Sequence, residues 1–279
     1  MRGSNRAQGS RRKAKGERRK AGEVIHVTAA KAIIEVENVT CRFGPVTAVD
    51  GVTLSIGEGT IFGLVGSDGA GKSTLLRTMA TMIPPSSGRV VLDGLDAVSQ
   101  RRKVKRLIGY MPQRFGLYPD LTVDENLAFF MDIFGIARAE RAKRRERYLG
   151  FSNLLPFADR PAGKLSGGMK QKLGLACVLV HEPRILILDE PTNGVDPVSR
   201  QEFWEILLAM QRTGMTIVVS TAYLDEGERC GRLALMHRAR ILAEGPPDAI
   251  RSSFASLEEA MIRRIEEIDG DLARDSVHA

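Results

Sequence analysis

The sequence predicts an α/β fold built on a mainly parallel sheet. Two short, nearly all-apolar runs, IFGLV (61–65) and ILIL (185–188), read as strands buried on both faces. Helical stretches lie between them, at STLLRTMATM, TVDENLAFFMDIFG and SGGMKQKLGLACVLV. Strands alternating with helices are the pattern of a parallel sheet whose crossovers pack on its faces.

The elements follow in chain order. IIEVENVT (33–40) and VTLSI (52–56) alternate apolar and polar residues, as half-buried strands do. The segment 122–135 reads as a helix, and the basic run RAERAKRRER (138–147) as one solvated helix face. Asp196 followed by Pro197 reads as the N-cap and first residue of a helix through QEFWEILLAM, with Trp204 in the core. VVSTA (218–222) runs off an apolar, strand-like stretch. RLALMHRARILAEG (232–245) reads as a hairpin whose turn holds Ala239. SLEEAMIRRIEEI, opening with a Ser256–Glu259 capping box, reads as an amphipathic helix.

With 43% hydrophobic and 27% charged residues over 279, the chain is long enough and apolar enough for a large core. The net charge of +7 is a local property. Nine of the 41 Lys and Arg and one of the 34 acidic residues fall in residues 1–20, so that segment carries +8 and the remainder −1. Residues 1–30 are expected to form a disordered basic leader, either solvated or tethering to anionic lipid or RNA. Cys41, Cys177 and Cys230 are too scattered for a disulfide framework or zinc site and fit a reducing cytosol. No run of about 18 apolar residues occurs, so the chain is not expected to span a membrane by itself.

Three motifs carry chemistry. GSDGAGKST (Gly66, Ser67, Asp68, Gly69, Ala70, Gly71, Lys72, Ser73, Thr74) joins the strand 61–65 to a helical segment. Glycines let the backbone curl so that its N–H groups and the helix's positive end face phosphate oxygens. Lys72 is expected to reach the β- and γ-phosphates, Ser73 to bind Mg²⁺, and Asp68 to turn aside or cap the turn. ILILDE ends in Asp189, placed to hold the magnesium shell, and Glu190, placed to polarise an attacking water. LSGGMKQ sets Ser166, Gly167 and Gly168 at a helix N-terminus as a second nest of donors for anionic oxygen.

Together these motifs closely resemble the ATPase subunit of ATP-binding cassette (ABC) transporters, over roughly residues 32–269. The resemblance implies a P-loop core with an antiparallel β subdomain and an α-helical subdomain inserted at about 114–170, all within 31–269, followed by a C-terminal tail, 270–279. It implies ATP and Mg²⁺ as ligands and a pair of cassettes that sandwich two ATP, each between one P-loop and the other chain's signature. Carried over by position, Phe43 stacks on adenine, Gln113 touches magnesium and the attacking water, and Asp196 serves the loop between subunits.

FGLYPDLTVDENL, PFADRPAGKLSGGMKQKLGLA and SLEEAMI are similar to the branch that drives multidrug and polysaccharide exporters of the type-2 permease kind. The resemblance therefore implies a subunit on the cytoplasmic face of the cell membrane, hydrolysing ATP to drive small-molecule export. Its expected partners are a transmembrane permease and a second ABC ATPase, identical or not; nucleic acid is not expected among them. Where most of the family has a histidine on the γ-phosphate, this chain has Ala222. That substitution raises the alternative of a slow or regulatory half of an unequal pair. The basic leader raises another, a ribosome- or RNA-associated ABC ATPase, but such proteins usually hold two cassettes on one chain.

Overall fold

The computed structural model describes residues 32–252 and 254–266. The expected leader (1–30), the whole C-terminal tail (270–279) and the end of the expected last helix (267–268) lie outside them. Two sheets form the frame. The first is antiparallel, in the order β2 (Val46–Gly57), β1 (Ala32–Phe43), β4 (Ser87–Leu92), β5 (Leu95–Asp96). The second has six strands, ordered β10 (Arg240–Gly245), β9 (Arg232–His237), β3 (Ile61–Val65), β8 (Thr216–Thr221), β7 (Ile185–Asp189), β6 (Ile108–Met111). From β9 to β6 every neighbour is parallel, and only β10 turns back against β9.

The apolar runs are apolar because both faces of this sheet are covered. On β7, Leu186 and Leu188 join one core with Ile217, Val219, Phe203 and Trp204. Ile185 and Ile187 face the other, with Val218, Phe62 and Leu64. The first core is roofed by α3 (Val123–Ile133), α5 (Gly167–Leu179) and α6 (Pro197–Arg212); the second is closed by the antiparallel sheet and α1 (Lys72–Met79). α2 (Arg101–Leu107) precedes β6.

α4 (Arg138–Phe151) corrects the reading of 138–147 as a solvated face. Arg141, Arg144 and Arg145 recur at helical spacing on its inner side and are only partly exposed. Arg145 Nε binds Asp124 Oδ1 at 2.6 Å, Arg141 binds Asp132 at 2.6 Å, and Arg144 reaches the Val180 carbonyl and Glu182. Carboxylates from α3 and the turn after α5 draw this face inward.

The β9–β10 hairpin turns through Arg238 (φ 42°) and Ala239 (φ 69°). Both central residues of the turn are left-handed, as in type I′ hairpins, without the usual glycine. Ala239 is held there by its neighbours: its N–H donates to the Ala70 carbonyl at 3.0 Å, and Asp50 N–H donates to its carbonyl at 2.9 Å. The hairpin thereby braces the 66–74 loop. After α8 (Pro247–Arg251), residues 257–266 form the expected helix, with Leu257 and Met261 buried against Val65, Leu233 and Leu235. Its cap has Glu259 N–H on Ser256 Oγ at 3.1 Å, while the Glu259 carboxylate reaches back to Ala255 N–H.

Candidate functional site

The chemistry gathers at the carboxyl ends of β3, β8 and β7, the edge of a parallel sheet where ligands bind. The 66–74 loop leaves β3 and enters α1, with Gly71 as the N-cap. At φ 106° Gly71 occupies a conformation that L side chains avoid, and a Cβ there would stand 2.1 Å from the Ala48 carbonyl. Only glycine lets the loop curl this tightly against β2. A cleft of about 380 Å³ results, lined by Ala48, Asp68 through Thr74, Gln113 and Glu190. Gly66 lies behind it, buried against the Met236 carbonyl, and Ser67 turns its carbonyl to Lys72. Asp68, expected to turn aside, is exposed and lines the cleft.

Lys72 is almost wholly buried and anchored three ways. Its Nζ donates to the carbonyls of Gly66 (2.7 Å) and Ser67 (3.0 Å) and pairs with Glu190 Oε1 at 3.0 Å. The other Glu190 oxygen accepts from Gln113 Nε2 (2.9 Å) and Asn193 Nδ2 (3.1 Å). Glu190 itself has φ 48°, a strained left-handed backbone worth about 1–2 kcal/mol. Its N–H is bound by both Ser220 Oγ (3.0 Å) and the Ser220 carbonyl (3.2 Å), which fixes that conformation.

Asp189 is fully buried at the tip of β7. Ser73 Oγ (2.8 Å) and Ser220 Oγ (2.9 Å) both donate to its Oδ1, and the Tyr110 hydroxyl stands 3.5 Å from Oδ2. Burial, then the charge of Asp189, push the Tyr110 phenol up, so it stays a donor. Ser73, Asp189 and Gln113 offer hydroxyl, carboxylate and amide oxygens, the hard donor set that suits Mg²⁺, with phosphate oxygens completing its shell. The residues fit the ion that the loop's chemistry implies.

Five expected residues stand apart. Phe43 ends β1 at a hairpin, half exposed, and is not among the residues lining the cleft. Ser166, Gly167 and Gly168 open α5: Ser166 Oγ caps Met169 N–H at 3.3 Å, and Gly167 lines a separate cleft of about 400 Å³. They do not meet their own chain's phosphate loop. Asp196 caps α6, accepting from Ser199 N–H at 2.9 Å, and this bond holds its carboxyl below the usual range.

Sequence reasoning missed Ser220, Tyr110 and Asn193. Ser220 was findable as the serine that ends the apolar IVV run (217–219), one strand from Asp189. The other two show only in three dimensions. Ala222 follows β8 and is exposed, lining a small cavity of about 160 Å³ with Asp68, Glu190, Thr192, Asn193, Thr221 and Tyr223.

A glycine-rich loop between a central strand and a helix, with a lysine within and an Asp–Glu pair two strands away, defines a P-loop nucleotide-binding domain. The particular family is equally plain: residues 49–193 match the ABC transporter family, and the chain belongs to it. It is 45% identical over 226 residues to the probable multidrug ABC transporter ATP-binding protein YbhF of Escherichia coli K12, covering 80% of this chain and 39% of that protein. It thus spans well under half of that relative's length. It is 39% identical to Nod factor export ATP-binding protein I of Burkholderia orbicola, over 80% of this chain and 73% of that one. Among solved structures, an ATP-binding subunit of an ABC transporter matches with TM-score 0.75 and 28% identity, over 84% of this chain and 99% of that one. The dimeric cassette MJ0796, bound to ADP and Pi after hydrolysis, matches with TM-score 0.69 and 27% identity, over 76% and 98%.

Proposed function

We propose that this chain is an ATP-binding and ATP-hydrolysing subunit of an ABC exporter. It works on the cytoplasmic face of the membrane, paired with a second ATPase subunit, and powers small-molecule export through a separate permease. The observation that carries the reading is the convergence of Lys72, Ser73, Glu190 and Gln113 on one cleft, with Asp189 hydrogen-bonded to Ser73 beneath it, while Gly167 lines a neighbouring cleft that shares Gln113. A nucleotide in this cleft meets its own chain's loop, and its exposed side is left for another chain's residues 166–168.

Backbone N–H groups of 69–74 receive the phosphates, and Lys72 exchanges Glu190 for phosphate oxygen. Glu190, held at its other oxygen by Gln113 and Asn193, then accepts a proton from water in line with the γ-phosphorus. Mg²⁺, held by Ser73, Asp189 and Gln113, would neutralise charge on the phosphates. Phe43 would stack on adenine from the hairpin edge.

Support for export comes from a relative named for Nod factor export, alongside others named for multidrug transport and, in Bacillus subtilis, linearmycin resistance. Among the described residues no helix is long and apolar enough to cross a membrane, in keeping with a separate permease. A second reading, a slow regulatory half of an unequal pair, is favoured by Ala222 at the γ-phosphate end. The test is isolation of the native complex from membranes with identification of its other chains, alongside nucleotide binding by the Lys72→Ala variant. Recovery with a polytopic membrane protein and loss of ATP binding in the variant are expected. Recovery with ribosomes alone, or unchanged affinity, overturns the reading.

A further inference from the structure

Behind the 160 Å³ cavity at Ala222 lies a carboxylate that touches neither cleft. Glu226, in the short helix α7 (Leu224–Gly227), is 1% exposed. It accepts from Thr192 Oγ1 at 2.7 Å and from Thr221 Oγ1 at 2.6 Å. Thr221 Oγ1 also accepts from Tyr223 N–H at 3.0 Å, so its own proton is directed at Glu226. Arg200 Nε stands 4.0 Å from the same carboxylate, and the Arg200 guanidinium lies 4.8 Å over the Tyr223 ring.

These partners come from separate segments. Thr192 is two residues beyond Glu190, Thr221 is the last residue of β8 before Ala222, and Arg200 sits in the first turn of the helix capped by Asp196. α7 is pressed on β3: a Cβ on Gly227 would come within 2.9 Å of Val65 Cγ2, beside the start of the phosphate loop. One buried carboxylate therefore ties the loop bearing Glu190, the strand end bearing Ala222 and the helix bearing Asp196 to the strand that feeds the 66–74 loop. Each hydroxyl has a charge-assisted bond, the stronger kind, and the ion is shielded from water.

We propose that Glu226 is a positioning residue for ATP hydrolysis, setting the Thr192 and Thr221 segments so that Glu190 faces the γ-phosphate. This rests on the reading of the chain as an ATPase. Glu226 acts through its two threonines and not on the nucleotide. Ala222 offers no hydrogen-bond donor, so the Glu226 network adds to the Ser220 bonds in holding the segments on either side of Glu190.

The test compares Glu226→Gln, Thr192→Val, Thr221→Val and the hydroxyl-retaining Thr192→Ser and Thr221→Ser in the full chain. Single-turnover phosphate release and ATP affinity are measured separately for each. The Gln and Val variants are expected to release phosphate roughly tenfold or more slowly, the scale of a displaced catalytic group, with ATP affinity unchanged. The serine variants are expected to keep the parent rate. An unchanged rate in folded Glu226→Gln overturns the proposal, as does a loss of ATP affinity that accounts for the slowing. Should Glu226→Gln fail to fold, the Val–Ser contrast at residue 192 decides: equal rates overturn it. A parent chain that binds ATP but releases no phosphate overturns the ATPase reading as well, whereas an active parent matched by its variants overturns this inference alone.

Discussion

Lys72 Nζ and Glu190 Oε1 pair at 3.0 Å with both side chains almost fully buried. The cation proposed to meet phosphate is thus paired with the carboxylate proposed to meet water. Glu190→Gln leaves one acceptor oxygen, which serves either Lys72 or the Gln113 and Asn193 amides but not both, and the amide takes no proton. Phosphate release should fall on the order of 10²–10⁴-fold, the usual contribution of a general base. ATP affinity, measured by equilibrium titration, should hold or rise because Lys72 is easier to detach. Turnover within twofold of the parent would remove Glu190 from the role.

Ala222 is exposed at the edge of a cavity that also touches Glu190, so a larger side chain can enter without displacing the core. Ala222→His should restore a donor to the γ-phosphate and raise turnover of the purified chain on the order of 10², by analogy with regaining an oxyanion-hole donor. Nucleotide affinity should change little. No gain in phosphate release would mean that water positioning is complete without it.

Gly167 and Gly168 are neighbours with opposite surroundings. A Cβ on Gly168 would stand 2.3 Å from Ser199 Cβ, whereas one on Gly167 meets nothing within 4 Å. Gly168→Ala should destabilise the isolated chain by about 1–3 kcal/mol through overpacking of α5 against α6. Gly167→Ala should leave the melting temperature intact and weaken ATP-dependent pairing, since that face is open to another chain. Sedimentation with ATP and thermal melts separate the two. Equal melts for both variants would contradict the packing.

What was legible in the sequence was the set of contiguous features: the loop 66–74, the Asp189–Glu190 strand tip and the Ser166 cap each form from neighbouring residues. The fully apolar strands were legible because burial on both faces leaves no polar position. β4 and β6 were not recognised, because SGRVVL opens on three exposed residues, IGYM is only four residues long, and their partners β1 and β7 lie far away in sequence. The inward arginines of α4 read as solvent-facing because their carboxylates, Asp124, Asp132 and Glu182, lie on other elements. The Glu226 network escaped for the same reason, its threonines and arginine being contributed by three separate segments.

His181 supplies a pH test of the helical side of the molecule. Its ring stacks on Phe134 at 4.0 Å between centroids, and Nε2 lies 3.0 Å from the Ile108 carbonyl, to which the neutral ring donates. Burial lowers its pKa below the ordinary 6.5, and the nearby Arg144 guanidinium adds to this against the raising effect of backbone carbonyls. The unfolded chain therefore binds the proton first as pH falls. The stabilisation is complete above about pH 6.5 and is lost as the pH drops through the lower folded value. Thermal melts between pH 7.5 and about 5 should show a falling midpoint in the parent chain, and His181→Gln, which cannot titrate, should lose this part of the slope. Parallel curves for the two chains would show that His181 is not buried as a neutral ring.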